Sequence, residues 1–180
     1  MSRNVWIRLA SLAVGALLLA LSVAPGSAAV PVPAGTTVGL KLLNTLDSQH
    51  LPQGSQIHFK VAADVLVDRH TIIRAGAPAT GTATKVSKPG VFGSSSQVII
   101  GLLTVTAVDK KPLKLQDVKI NADSLKKNVA GAVGASVAGA IILGPVGLAS
   151  GALVRGGWVQ VPAGSIINAA TQSHASVSVP

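Results

Sequence analysis

Val32-Pro-Ala-Gly-Thr36 and Val161-Pro-Ala-Gly-Ser165 are nearly the same five residues, placed close to the two ends of a 180-residue chain. Proline in the second place presets φ for a type I turn, and glycine in the fourth accepts the left-handed backbone that follows. A polar residue then opens an extended run, Thr36-Thr37-Val38 in one copy and Ser165-Ile166-Ile167 in the other. Ile73-Arg-Ala-Gly-Ala-Pro-Ala79 is a weaker third copy. Three repeats of one corner imply several strands led into one sheet in the same manner.

The stretches between the corners alternate as half-buried strands do. Val38, Leu40 and Leu42 interleave with Gly39 and Lys41, and Ile57, Phe59 and Val61 with His58 and Lys60. Asp47 to Gly54 is a turn-rich connection. Val65–67 and 71–73 flank Asp68-Arg69-His70, a tight hairpin loop. Threonine-rich 80–86, the long apolar run 97–108, and short runs at 113–115 and 118–120 complete the set. Short strands at this spacing predict a mainly β fold, a small closed or partly open β-barrel.

One segment breaks the alternation. Residues 128–154 carry no charge, with Lys126 and Lys127 before them and Arg155 after. Gly131, Ala135, Gly139, Gly147 and Gly151 recur at intervals that stack small side chains on one helical stripe, where backbones approach closely. Gly144-Pro145 breaks the run, since proline removes a hydrogen bond and clashes with the preceding turn. The expectation is a Gly/Ala-rich helical hairpin, 125–143 and 146–155, inserted in the barrel. It either contacts a membrane or another copy through those five small residues, or folds back over the barrel. Either arm is too short for the ~30 Å hydrocarbon core.

Arg3 and Arg8, an apolar run from Leu9 to Val23, and Ala24-Pro-Gly-Ser-Ala-Ala29 have the order of a cleavable signal peptide over 1–29. That leaves 30–180 as a single exported domain. The chain has no cysteine, so it closes without disulfides, and no glutamate. Removing Arg3 and Arg8 from the 15 basic residues leaves 13 against six aspartates, +7. Such an excess draws anionic surfaces. The lysines are scattered without interleaved aromatics, which argues against nucleic acid as partner.

Chemistry is sparse. Histidines 50, 58, 70 and 174 lack metal-ligand spacing. Asp64 and Asp68 read as parts of a hairpin, and no nucleophile elbow or phosphate loop is present. No catalytic residue, metal or cofactor is expected. Phe92, in a glycine-flanked loop beside Lys88, either caps the barrel end or meets an interface. Trp158 either marks the point where the hairpin rejoins the barrel, at interfacial level with Lys126, Lys127 and Arg155, or lies in the core.

The VPAGT corner, TLDSQHLPQGSQIHFKV (45–61) and VLVDRHTIIRAGAPATGTATKV (65–86), followed by a long apolar strand, resemble the exported β-barrel domain of the channel-lining scaffold of type IV secretion and conjugation systems. The likeness covers about 31–122 and 158–179. It is also similar, more loosely, to exported bacterial proteins that pair such corners with a glycine-zipper segment. The resemblance implies a barrel with a late hairpin insertion, a periplasmic or outer-membrane location, and no catalytic residues. Together these readings predict a non-enzymatic envelope structural or assembly protein, in contact with membrane or itself and open to homo-oligomerisation. The alternative is a soluble periplasmic module binding an anionic envelope polymer.

Overall fold

The computed structural model describes residues 28–90, 95–121, 141–142, 154–155 and 157–179. Among them every regular element is a strand and every pairing is antiparallel. The first seven are β1 (Ala28–Val32), β2 (Thr37–Leu42), β3 (Leu46–Asp47), β4 (Gln56–Val61), β5 (Val65–Val67), β6 (His70–Ile73) and β7 (Pro78–Ser87). Then come β8 (Gln97–Thr106), β9 (Pro112–Lys114), β10 (Val118–Asn121), β11 (Ile141–Ile142) and β12 (Val154–Arg155). The chain finishes with β13 (Trp158–Val161), β14 (Ile166–Ala170) and β15 (Ala175–Val179).

The main sheet runs β10-β8-β7-β4-β2-β14-β11, with β9 also on β8. It curls into a half-barrel. Leu115 bridges Thr171, the Gln116 amide donates to the Ala170 carbonyl at 2.7 Å, and Gln172 to Lys114 at 3.0 Å. These bonds tie the β9 side to the end of β14 across the curl. Period-two patterning decides the faces. Val38, Leu40 and Leu42, Ile57, Phe59 and Val61, Val98, Ile100, Leu103 and Val105 all turn inward and are buried. β-branched and leucine side chains fill the hollow with a single phenylalanine among them.

Among the described residues the corners are four, not three. Each is a four-residue turn closed by an amide three residues on, Thr36 to Pro33, Ser55 to Pro52, Ala77 to Arg74 and Ser165 to Pro162. Glycine in the third place has φ of +85, +89, +79 and +87 at Gly35, Gly54, Gly76 and Gly164. That is the value of a type II turn, with proline in its first place at three corners and Arg74 at the other, where the sequence had suggested type I with proline second. The glycine amide and the next carbonyl then both bond one residue opposite, so two residues face one as in a G1 bulge. The residue opposite is Thr171, Ala83, Val61 and Leu42 respectively. The docking is reciprocal. The corner before β2 docks just past the end of β14 and the corner before β14 on the end of β2; the corners before β4 and β7 exchange in the same way. Leu51-Pro-Gln-Gly-Ser55 is the copy hidden inside what the sequence presented as a connection.

The helical hairpin is overturned. Ile141 and Ile142, inside the expected first arm, pair with Ile167 and Ile166 of β14. Val154 and Arg155, at the end of the expected second arm, pair with Val159 and Trp158 of β13. Paired isoleucines suit a pleated surface, where β-branching costs nothing. Only Gly156-Gly157 separates β12 from β13, with Gly157 at φ +84, and a two-glycine link is a hairpin signal. Among the described residues the fold is thus all-β, a curled half-barrel with smaller sheets, and the expected helical hairpin is not seen.

The smaller sheets pack into the same hydrophobic core. β1 and β15 form a ribbon that meets the β5–β6 hairpin. That hairpin turns on Asp68 and Arg69 alone, at φ +50 and +66, with His70 already in β6. β3, β13 and β12 form a third sheet, pinned by two buried serines. The Val159 amide donates to both Ser48 Oγ (2.9 Å) and Ser96 Oγ (2.8 Å), which lie 3.0 Å apart.

Candidate functional site

The outward face of the main sheet is where unsatisfied charge collects. Lys41 of β2 lies directly opposite Lys60 of β4. Lys85 of β7 and Lys119 of β10 flank Ile99 of β8 in one row. Lys114 of β9 faces Thr104, which faces Thr80, which faces His58. All five lysines are exposed; Lys41, Lys60, Lys114 and Lys119 take this face because their chain neighbours are drawn into the core, and Lys85 because the register shifts between Ala83 and Lys85. With strands about 4.8 Å apart, Lys85 and Lys119 stand about 10 Å from each other. Thr80, Thr82, Thr84 and Thr104 set hydroxyls between the amines.

The acids are engaged elsewhere. The His50 ring bonds Asp47 at 2.9 Å and the Gln49 amide bonds it as well, and these hold its carboxyl below the usual carboxylate range. Burial pushes the Asp109 carboxyl up, but the Lys111 and Ser178 amides and the Lys111 ammonium outweigh it, leaving a lowered pKa. Asp64 accepts the Ala75 amide at 2.6 Å. Asp117 reaches toward the lysine face over Gly101, and Asp64 borders it beside Gly39. Among the described residues, none of the five lysines has an ion-pair partner. Like charges placed directly opposite destabilise a sheet, so the Lys41–Lys60 pairing costs local stability.

Leu102 projects from the same face. It is 76 % exposed and sits at φ +51. The cause is across the strand: Ile100 and Leu103 fill the space beside Gly81, where an added Cβ would lie 2.7 Å from each. The extra residue of the bulge is thereby turned to solvent in a strained conformation.

The residues expected from sequence fare differently. Gly131, Ala135, Gly139, Gly147, Gly151, Lys126, Lys127 and Phe92 lie outside the described residues. Arg155 is on β12 and Trp158, half-buried, is its partner on β13. Asp64 precedes β5 and Asp68 occupies the β5–β6 turn, each in a local structural role. Among the described residues no three His or Asp side chains cluster as a metal site, and no helix is long and apolar enough to cross a membrane. The lysine face itself was read from sequence only as scattered wet positions, although period two already places each on one side of its strand. What sequence could not supply was the register that sets Lys41 against Lys60. No protein-family model matches the chain, and a search of curated proteins finds no match.

Proposed function

We propose that this is a non-enzymatic protein of the cell envelope whose outward lysine face binds an anionic envelope polymer. The observation that carries the reading is the unpaired Lys41–Lys60 neighbour pair, set in a field of three further lysines and interleaved threonines. A polyanion lying across the strands relieves that repulsion, and hydroxyls between the amines add hydrogen bonds. The signal-like order of residues 1–29 supports export to the compartment where such polymers occur. The face is the convex, strand-ordered outside of the curled sheet, with its lysines spread over several strands, which suits an extended chain better than a compact solute.

The test is titration of the protein against a fluorescently labelled acidic polysaccharide, polygalacturonate, with neutral dextran of equal length as control. Binding to the acidic chain is expected to weaken steeply as salt rises, and Lys41→Glu with Lys60→Glu should remove most of it. Equal affinity for dextran, or binding indifferent to salt and to both substitutions, would overturn the proposal.

A further inference from the structure

We infer that the hollow over Gly39 is a binding site for a secondary amide, as carried by an acylated amino sugar or a peptide. The hollow has a volume of about 420 Å³ and is lined by Thr36, Thr37, Gly39, Asp64, Leu66 and Asn168 among others. Gly39 and Asn168 are directly opposite on β2 and β14, and glycine's missing side chain opens the floor. Asn168 is only 6 % exposed, yet its side chain bonds no described residue. An amide holds two N–H donors and an acceptor oxygen, and Asn168 lines the hollow, where these are open to a ligand. A trans secondary amide, whose carbonyl and N–H point opposite ways, meets one of them: its carbonyl accepts the Asn168 N–H, and Asn168 Oδ1 accepts a hydroxyl or N–H from the neighbouring unit.

The rest of the wall fits the same group. Asp64 spends one oxygen on the Ala75 amide at 2.6 Å, and its other oxygen accepts a hydroxyl or amine donor beside the amide. Val65 and Leu66, the latter 58 % exposed, provide an apolar rim for an acyl methyl or an alanine-sized side chain. No cation lines the hollow, so the site selects neutral or amine-bearing units in a chain that is otherwise basic. It does not rest on the lysine-face reading, although Lys41, two residues from Gly39, lies close enough for one polymer to use both.

The experiment is amide-resolved NMR titration of the protein with N-acetylglucosamine, with N-acetyl-alaninamide, and with glucose as the amide-free control. At least one acylated probe should give saturable shifts at the Asn168 side-chain NH₂ and at Gly39 and Leu66, and glucose should not; the tighter probe identifies the source. Gly39→Ala adds a Cβ at 3.4 Å from Ile166 Cγ2 and 3.6 Å from Asn168 Oδ1, contacts the fold accommodates. It should weaken binding about tenfold, as should Asn168→Ala, which loses the hydrogen bond to the probe's carbonyl. Lys41→Glu with Lys60→Glu should leave the neutral probes' affinity unchanged, which separates this site from the lysine face. Absence of saturable shifts with both acylated probes, equal binding of glucose, or unchanged affinity in Gly39→Ala and Asn168→Ala overturns the inference, water then being the partner of Asn168.

Discussion

Replacing the corner glycines by alanine isolates one physical term. At Gly35, Gly54 and Gly76 an added Cβ meets nothing within 4 Å, and at Gly164 only Lys41 Cε at 4.0 Å. No clash is created and no hydrogen bond is removed, so the whole cost is that of holding an L-residue at φ near +85. That is about 1–2 kcal/mol for each corner. For a domain of this size it corresponds to about 2–8 °C in Tm. Asparagine tolerates the left-handed region better and should recover part of the loss. Gly81→Ala is the contrasting case, because its Cβ would lie 2.7 Å from Ile100 Cγ2 and Leu103 Cδ1. Overpacking there should cost about 1–3 kcal/mol, and asparagine should be worse than alanine. Urea unfolding at constant m reads both series. Corner substitutions that change the midpoint by less than about 0.5 kcal/mol equivalent, or asparagine no better than alanine at all four, would refute the left-handed turns as the devices that lead the strands in.

Leu102→Gly should stabilise the fold by about 1 kcal/mol in the same urea assay, since it relieves φ +51 at an exposed position; a loss of stability would show that the leucine is packed. Ser48→Ala and Ser96→Ala should each be mild, while the double substitution leaves the buried Val159 amide without either hydroxyl and should cost about 1–3 kcal/mol beyond their sum. Lys60→Gln should raise stability by a few tenths of a kcal/mol at low salt and by less at high salt, because about 5 Å separates the paired Cβ atoms. On the acid side, Asp47 and Asp109 have lowered pKa values in the folded chain. Their contribution is present above the unfolded carboxylate range near 3.9 and disappears as pH falls through the lowered values. Asp109→Asn should therefore flatten the acid limb of a stability–pH curve, and an unchanged limb would contradict the assignment.

Much of the sheet was legible because inward and outward residues alternate cleanly. Ile57-His-Phe-Lys-Val61 declares its two faces without help, and the P-x-G corners mark where strands begin. The fourth corner, Leu51-Pro-Gln-Gly-Ser55, was missed because its variable third residue is polar and the surrounding residues are turn-rich. The misreading at 141–142 and 154–155 has a different origin. Glycine and alanine spaced by four satisfy a helical stripe, but small residues are also permissive of extended backbone, and periodicity without bulky residues does not decide between them. Ile141-Ile142 and the Gly156-Gly157 link were the local strand signals, and the register with β14 and β13 gave them partners. The candidate face was half legible: outward lysines follow from period two, whereas the Lys41–Lys60 opposition and the hollow beside Asn168 arise only once β2 is flanked by β4 on one side and β14 on the other.

The most direct test of the account is lysine footprinting with an acetylating reagent, with and without saturating polygalacturonate. Protection confined to Lys41, Lys60, Lys85, Lys114 and Lys119, with the turn residues Lys110 and Lys111 still modified at their free rates, is the predicted result. Protection spread evenly over all lysines, or concentrated at the turn while Lys41 and Lys60 stay reactive, would contradict it.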